Sequence, residues 1–95
     1  MQLINVVALD SFKRDHADAR IPLDAWRTEV ETAVWVTPQD IKNRYRSVDF
    51  LANNKLIFNI KGNSYRLVVV VRYSMQLVVV EWIGTHAEYD KKKFE

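Results

Sequence analysis

Arg66, His86 and the residues that follow His86 are the side chains of this sequence best suited to chemistry. Arg66 stands inside the run Tyr65-Arg66-Leu67-Val68, where an arginine needs a partner or an anion to justify its place. His86 follows Gly84-Thr85 directly after a long apolar run, so it emerges where a strand ends and a loop begins, a common position for functional groups. Tyr89, Asp90 and Lys91 come within one helical turn and can bring a phenol, a carboxylate and an ammonium close to the imidazole. Each also has a plain structural reading. Arg66 can pair with Glu81, His86 can be a polar loop residue, and His16 belongs to an apolar helix face.

Several chemistries are disfavoured at once. The chain has no Cys, which removes a disulfide framework, a thiolate nucleophile and cysteine-based zinc sites. Two His without Cys argue against a metalloenzyme, and no cofactor is expected. No Ser/His/Asp nucleophile arrangement can be assigned, and the two Gly are isolated, so nothing forms a phosphate-cradling loop. What survives is acid–base chemistry without a protein nucleophile, in which Arg and Lys stabilise a charged phosphorane while His or Tyr moves protons. Cleavage of RNA by its own 2′-hydroxyl needs nothing more, and it needs no metal.

At 95 residues and 11.2 kDa the chain is expected to be one domain spanning residues 1–95. A composition 48% hydrophobic and 27% charged is that of a folding chain. Met1 to Ala8 lacks a basic lead-in and its apolar run is short, so the expectation is a soluble, cytoplasmic protein with no membrane partner. Net charge is only +2, but it is unevenly spread. Residues 10–40 sum to −3, residues 41–72 to +6 and residues 73–95 to −1. In the middle third Lys42, Arg44, Arg46, Lys55, Lys61, Arg66 and Arg72 face Asp49 alone. That is the footprint of a phosphate-backbone binder, or else a set of scattered solvated cations.

The elements that must hold these residues follow from periodicity. Met1 to Ile4 reads as a short edge strand. Leu9, Phe12, His16 and Ala19 recur at helical spacing and predict a helix from about Val6 to Ala19. Pro22 suits the first position of a second helix, whose apolar stripe is Leu23, Trp26, Val30, Ala33 and Val34. Thr37, Pro38 and Asp40 read as N-cap, N1 proline and acidic N3 of a third helix through Arg46. From Leu56 on, β-branched and aromatic residues predict a meander: Leu56 to Lys61, Ser64 to Tyr73 and Leu77 to Ile83. Thr85 and Glu88 have capping-box spacing and open a short C-terminal helical turn through Tyr89.

Turn chemistry sets the register. With Gly62-Asn63 as a two-residue loop, Lys61 opposes Ser64, Asn59 opposes Arg66 and Ile57 opposes Val68 on one face. Ile60 with Tyr65, Phe58 with Leu67 and Leu56 with Val69 share the other face, the seat for the helices. With Ser74-Met75 as the second loop, Arg66, Val68, Val70 and Arg72 share the open face with Leu77, Val79, Glu81 and Ile83. A shifted register would bury Glu81 among the helices, which is costly. The expectation is a sheet covered by helices on one side, with Asn59, Lys61, Arg66 and Glu81 on an open, partly polar face.

The stretch Phe58-Asn59-Ile60-Lys61-Gly62-Asn63-Ser64-Tyr65-Arg66-Leu67 and the stretch Ile83-Gly84-Thr85-His86-Ala87-Glu88-Tyr89-Asp90 closely resemble the HigB toxins of bacterial type II toxin–antitoxin modules. Trp26, Trp35 and Thr37-Pro38-Gln39-Asp40 extend the similarity over most of the chain. The resemblance implies the α+β architecture of the RelE superfamily: an antiparallel meander sheet with two to three N-terminal helices packed on one face and a concave basic site on the other. It implies a metal-independent endoribonuclease that cleaves mRNA held on the ribosome, and a helix-turn-helix (HigA-like) antitoxin that neutralises it. By the same resemblance Asn59, Lys61, Asn63 and Arg66 line the RNA-facing surface, with His86, Tyr89 and Asp90 at its rim. Arg66 then holds the scissile phosphate, Lys61 supports the transition-state charge, and His86 or Tyr89 transfers protons. Arg72, Lys91, Lys92 and Lys93 add affinity for RNA. The alternative is a non-enzymatic RNA- or ribosome-binding module that blocks translation with the same basic residues and no proton transfer.

Overall fold

The structure, a computed structural model, describes residues 1–92. Its frame is a five-stranded sheet of order β1-β5-β4-β3-β2. The meander is present as β3 (Lys55–Ile60), β4 (Tyr65–Arg72) and β5 (Leu77–Thr85), and β2 (Asp49–Phe50) pairs antiparallel with β3. The edge strand β1 (Gln2–Ile4) lies parallel to β5, so the sheet is mostly rather than wholly antiparallel. A parallel pair needs a long crossover, and here almost the whole chain separates the two partners.

On one face lie α1 (Val7–Asp15), a 3₁₀ turn (Ala17–Ala19), α2 (Arg20–Thr32) and α3 (Pro38–Arg44), in place of the two unbroken helices expected before Thr37. The first of these breaks at His16, whose backbone leaves the helical region (φ −134, ψ 80) while its ring stacks on Phe12 with centroids 4.0 Å apart. Pro22 is the third residue of α2 rather than its first, a tolerable place because amides of the first turn lack helical partners. Leu23, Trp26 and Val30 are buried as expected, but the helix stops at Thr32. Ala33 is extended and Val34 is 74% exposed, so neither continues the stripe. In α3 the expected cap is complete: Thr37 accepts from the Asp40 amide and Asp40 accepts from the Thr37 amide. α3 ends at Arg44, two residues earlier than expected.

The helices bury Leu9, Phe12, Leu23, Trp26, Val30 and Ile41 against Leu56, Phe58, Leu67, Val69, Val78 and Val80 of the sheet. Trp26 meets Phe58 edge to face at 5.4 Å. The β3–β4 pairing is the expected one throughout, from Leu56 opposite Val69 to Ile60 opposite Tyr65. The connecting turn differs. Lys61 (φ 54) and Gly62 (φ 61) are both left-handed, and the Ser64 amide donates to the Lys61 carbonyl at 3.1 Å. For lysine that conformation costs about 1–2 kcal/mol, and it turns Lys61 out of the strand pattern toward the helix side, where its ammonium meets Asp18.

The β4–β5 register is also as expected from Arg72 opposite Leu77 to Val69 opposite Val80, and then a bulge intervenes. Val68 pairs with Trp82, Leu67 with Ile83 and Arg66 with Gly84, so Glu81 is the extra residue. The expectation that Ile83 shares the open face with Arg66 is therefore corrected. Strict alternation from Val78 and Val80 would carry Trp82 and Gly84 into the core and leave Ile83 outside. The bulge sends Ile83 to the core and keeps Glu81 out of it, where its carboxylate meets Lys55 Nζ at 3.1 Å.

Truncating Phe58 to Ala removes the ring that both Trp26 and Tyr45 meet edge to face, and chemical denaturation is expected to show a loss of about 3–5 kcal/mol. Stability should also be acid-sensitive. The amides of Val36 and Thr37 hold the Asp40 carboxyl below its ordinary range, and the Thr85 amide does the same for Glu88. A depressed folded-state value means a contribution complete above the unfolded value and lost as pH falls through the folded one. The melting temperature should therefore drop below about pH 4, less steeply in Asp40→Asn than in the parent.

Candidate functional site

The open face of the sheet is built around Arg66. Its cross-strand neighbours are Asn59 on β3 and Gly84 on β5. Next along the same face, Ile57 and Val68 are buried although they lie outside the main core cluster, so the floor beside the arginine is dry. The Arg66 side chain is only 18% exposed. Its charge is met at both ends: Nη2 lies 3.0 Å from His86 Nε2, and Nη1 lies 3.8 Å from Asp49 Oδ2. The guanidinium carbon sits 4.7 Å from the centroid of the Tyr89 ring, a cation–π geometry. The alternative pairing of Arg66 with Glu81 does not occur, because Glu81 is held by Lys55.

His86 opens α4 (His86–Asp90), whose N-cap is Thr85 with the expected capping box to Glu88. The His86 amide donates to the Ser64 carbonyl at 3.2 Å, which ties the helix start to the β3–β4 turn. Asp90 is one turn on, with Oδ2 3.3 Å from His86 Nδ1. An arginine nitrogen can only donate, so in the Arg66 contact Nε2 must accept. The geometry fits an imidazole hydrogen on Nδ1, facing Asp90, with the Nε2 lone pair directed at the guanidinium. A carboxylate that orients a histidine and a cation beside its basic nitrogen form a unit able to bind an oxyanion and move a proton.

Gly84 is required by space. A Cβ there would stand 2.4 Å from the Trp82 ring and 3.1 Å from a Glu88 carboxylate oxygen. The missing side chain lets the indole lie over the strand, with its centroid 6.2 Å from that of Tyr89. Trp82 and Asp49 escaped the sequence reading. Asp49 had a signal, as the single acid in the basic middle third. Trp82 had none, because only the bulge turns it to this face.

The other candidate residues are spread more widely. Asn59 belongs to the site and donates from Nδ2 to the Ser47 carbonyl at 3.2 Å. Asn59 Oδ1 and Arg66 Nε are buried and have no protein partner, so hydrogen-bonding capacity remains beside the guanidinium. Lys61 is not brought to Arg66: its Nζ lies 2.7 Å from Asp18 Oδ2 on the helix side. Asn63 is exposed in the turn, and Arg72 is exposed at the far end of β4, about 20 Å from Arg66 by strand rise. Lys92 Nζ lies 5.7 Å from the Trp82 ring centroid, and Lys91 is exposed beyond α4. Lys93 lies outside the described residues.

The basic middle third is not one patch of free cations. Lys42 donates to the Val48 carbonyl, Arg44 pairs with Glu29, Lys55 with Glu81, Lys61 with Asp18 and Arg66 with Asp49. Among the described residues no group of His, Cys, Asp or Glu is placed to hold a metal ion. No described helix is long and apolar enough to cross a membrane.

A family model described as HigB_toxin, the RelE-like toxic component of a toxin–antitoxin system, matches residues 19–92, from the start of α2 through α4. No curated protein matches the chain.

Gly84→Ala tests the packing of the site directly. The new methyl must displace the Trp82 ring, and the expected cost is about 1–3 kcal/mol with a shift in tryptophan emission. In a Trp82→Leu background the same substitution should cost markedly less, as a double-mutant cycle of melting curves would show.

Proposed function

The chain belongs to the HigB toxin family, RelE-like toxic components of toxin–antitoxin systems, and from that premise we propose that it acts on RNA as a metal-independent endoribonuclease. Membership implies an antitoxin partner. The finer reading is a single toxin domain that cleaves mRNA on the ribosome in the cytoplasm and is neutralised by a helix-turn-helix antitoxin. The observation that supports it most is the Arg66–His86–Asp90 chain, in which an oriented neutral imidazole shares one guanidinium nitrogen with the place a phosphate would take.

In this proposal the scissile phosphate takes the Arg66 nitrogens now shared by His86 and Asp49. His86 Nε2, freed from the arginine, removes the proton from the 2′-hydroxyl as the oxygen attacks phosphorus. Tyr89, stacked on the guanidinium, gives its phenol proton to the departing 5′-oxygen, leaving a 2′,3′-cyclic phosphate and a 5′-hydroxyl. Proton return from His86 to Tyr89 through solvent restores both groups. Asp90 keeps the imidazole in the correct tautomer. Lys61 is held by Asp18, so the phosphorane charge rests on Arg66. Asn59 and Asn63 contact the RNA near the site, and Arg72, Lys91, Lys92 and Lys93 add affinity farther out. A module that bound RNA through charge alone is less well supported, since Lys55, Lys61 and Arg44 already have carboxylate partners.

Primer extension on a translated message, incubated with purified protein, should show discrete cuts that depend on ribosomes. Arg66→Ala and His86→Gln should each lower cleavage by about 100-fold or more while cosedimentation with ribosomes persists. Absence of cuts with or without ribosomes would instead favour the binding module.

A further inference from the structure

Lys61 and Asp18 lie on the side of the sheet opposite Arg66, yet they are linked to the site through the chain. Asp18 bridges the β3–β4 turn. One of its oxygens takes the Lys61 ammonium at 2.7 Å and the other accepts the Tyr65 hydroxyl, so the residues at the start of the turn and just past its end share one carboxylate. Lys61 first, and Tyr65 second, hold that carboxyl below its ordinary range. The left-handed backbone of Lys61 (φ 54) directs its side chain there, a conformation lysine rarely adopts unless its surroundings enforce it. Asp18 is itself fixed in the 3₁₀ turn that follows His16, whose ring is stacked between Phe12 and the edge of Tyr65.

Inside the turn, Ser64 presents its carbonyl to the His86 amide at 3.2 Å. That amide is the first of α4 and has no partner within its own helix. The position of the turn therefore fixes the residue that carries the imidazole. As a contribution to stability the pair is weak, because both side chains are 47% exposed. What it supplies is a restraint on the turn.

We infer that Asp18 and Lys61 are positioning residues: their ion pair, closed by Tyr65, sets the 61–64 turn and through the Ser64 carbonyl holds the His86 imidazole against Arg66. The inference deepens the nuclease reading and rests on it for kinetics alone, since the placement of His86 can be observed without any substrate.

The test uses the full chain labelled with ¹⁵N-histidine, with His86→Gln assigning the His86 signals apart from those of His16. In Asp18→Asn and Lys61→Met the His86 ring nitrogens should shift from the pattern of a fixed Nδ1–H tautomer toward an average of the two. The double variant should shift no further than either single one, and Lys61→Arg should restore the parent pattern. Tyr65→Phe, which removes only the phenol bond, gives a smaller shift and covers the case in which a charge variant folds poorly. In the cleavage assay both charge variants should lower kcat, by about 100-fold at most, with KM within about twofold. An unmoved His86 spectrum overturns the inference, as does an inactive Lys61→Met beside a fully active Asp18→Asn, which would put Lys61 on the substrate. A parent chain that cuts no RNA sinks the nuclease reading, while the His86 spectra still decide the positioning.

Discussion

The bulge at Glu81 is the constraint on which the arrangement of the site depends. Because side chains alternate across a strand, one inserted residue reverses the facing of everything after it. Upstream, Val78 and Val80 must face the helices. Downstream, Gly84 must oppose Arg66 if the indole of Trp82 is to lie over the strand, and Thr85 must oppose Tyr65 if α4 is to leave from the end of the sheet. No unbroken strand satisfies both. The extra residue is also the charged one, so the bulge resolves the parity conflict while keeping a carboxylate out of the core. His86 follows two residues after Gly84, and its reach to Arg66 inherits this geometry.

Arg66 shows the opposite balance to an ordinary surface cation. Its side chain is mostly covered, its floor is the buried pair Ile57 and Val68, and its ring neighbour Tyr89 shields one face. A charge in such surroundings loses hydration and must be compensated. Asp49 and His86 do this only in part, through a 3.8 Å approach and a single imidazole contact, and Nε is left without a protein partner. In the proposed mechanism, this incomplete compensation of a desolvated cation is what lets an incoming phosphate improve on the resting contacts, and it makes Asp49 a competitor for that phosphate.

Much of the fold was legible in the sequence. Gly62-Asn63 between two β-rich runs was enough to align β3 with β4 residue by residue, and Thr37-Pro38-Asp40 and Thr85-Glu88 announced their helices through capping chemistry that is local. His86, Tyr89 and Asp90 were legible as neighbours because they fall within one turn of a helix that such local rules define, whereas Arg66 was placed beside them only by the family resemblance. The rest depended on long-range competition. The break at His16 reflects stacking on Phe12 beside Tyr65, the parallel pairing of β1 joins the two ends of the chain, and the left-handed turn at Lys61 is stabilised by a carboxylate 43 positions away. None of these leaves a mark on spacing or composition near the residue concerned.

The charge pattern gives the same lesson at a larger scale. The acidic N-terminal third and the basic middle third suggested, on the sequence alone, a surface waiting for a polyanion. In the fold these segments pack on one another, and Asp18 and Glu29 of the first take Lys61 and Arg44 of the second. Glu29 also accepts the Tyr45 hydroxyl, whose burial pushes that phenol's ionisation well up. Segregated charge along the chain has thus become complementarity within the helix layer, between α2 and α3, and between that layer and the β3–β4 turn. Opposite that interface, Arg66 is met by Asp49 from its own basic segment and by an imidazole from the C-terminal helix. In the proposed reading, the preference of the open face for an anion therefore comes less from net charge than from where the acidic segment fails to reach.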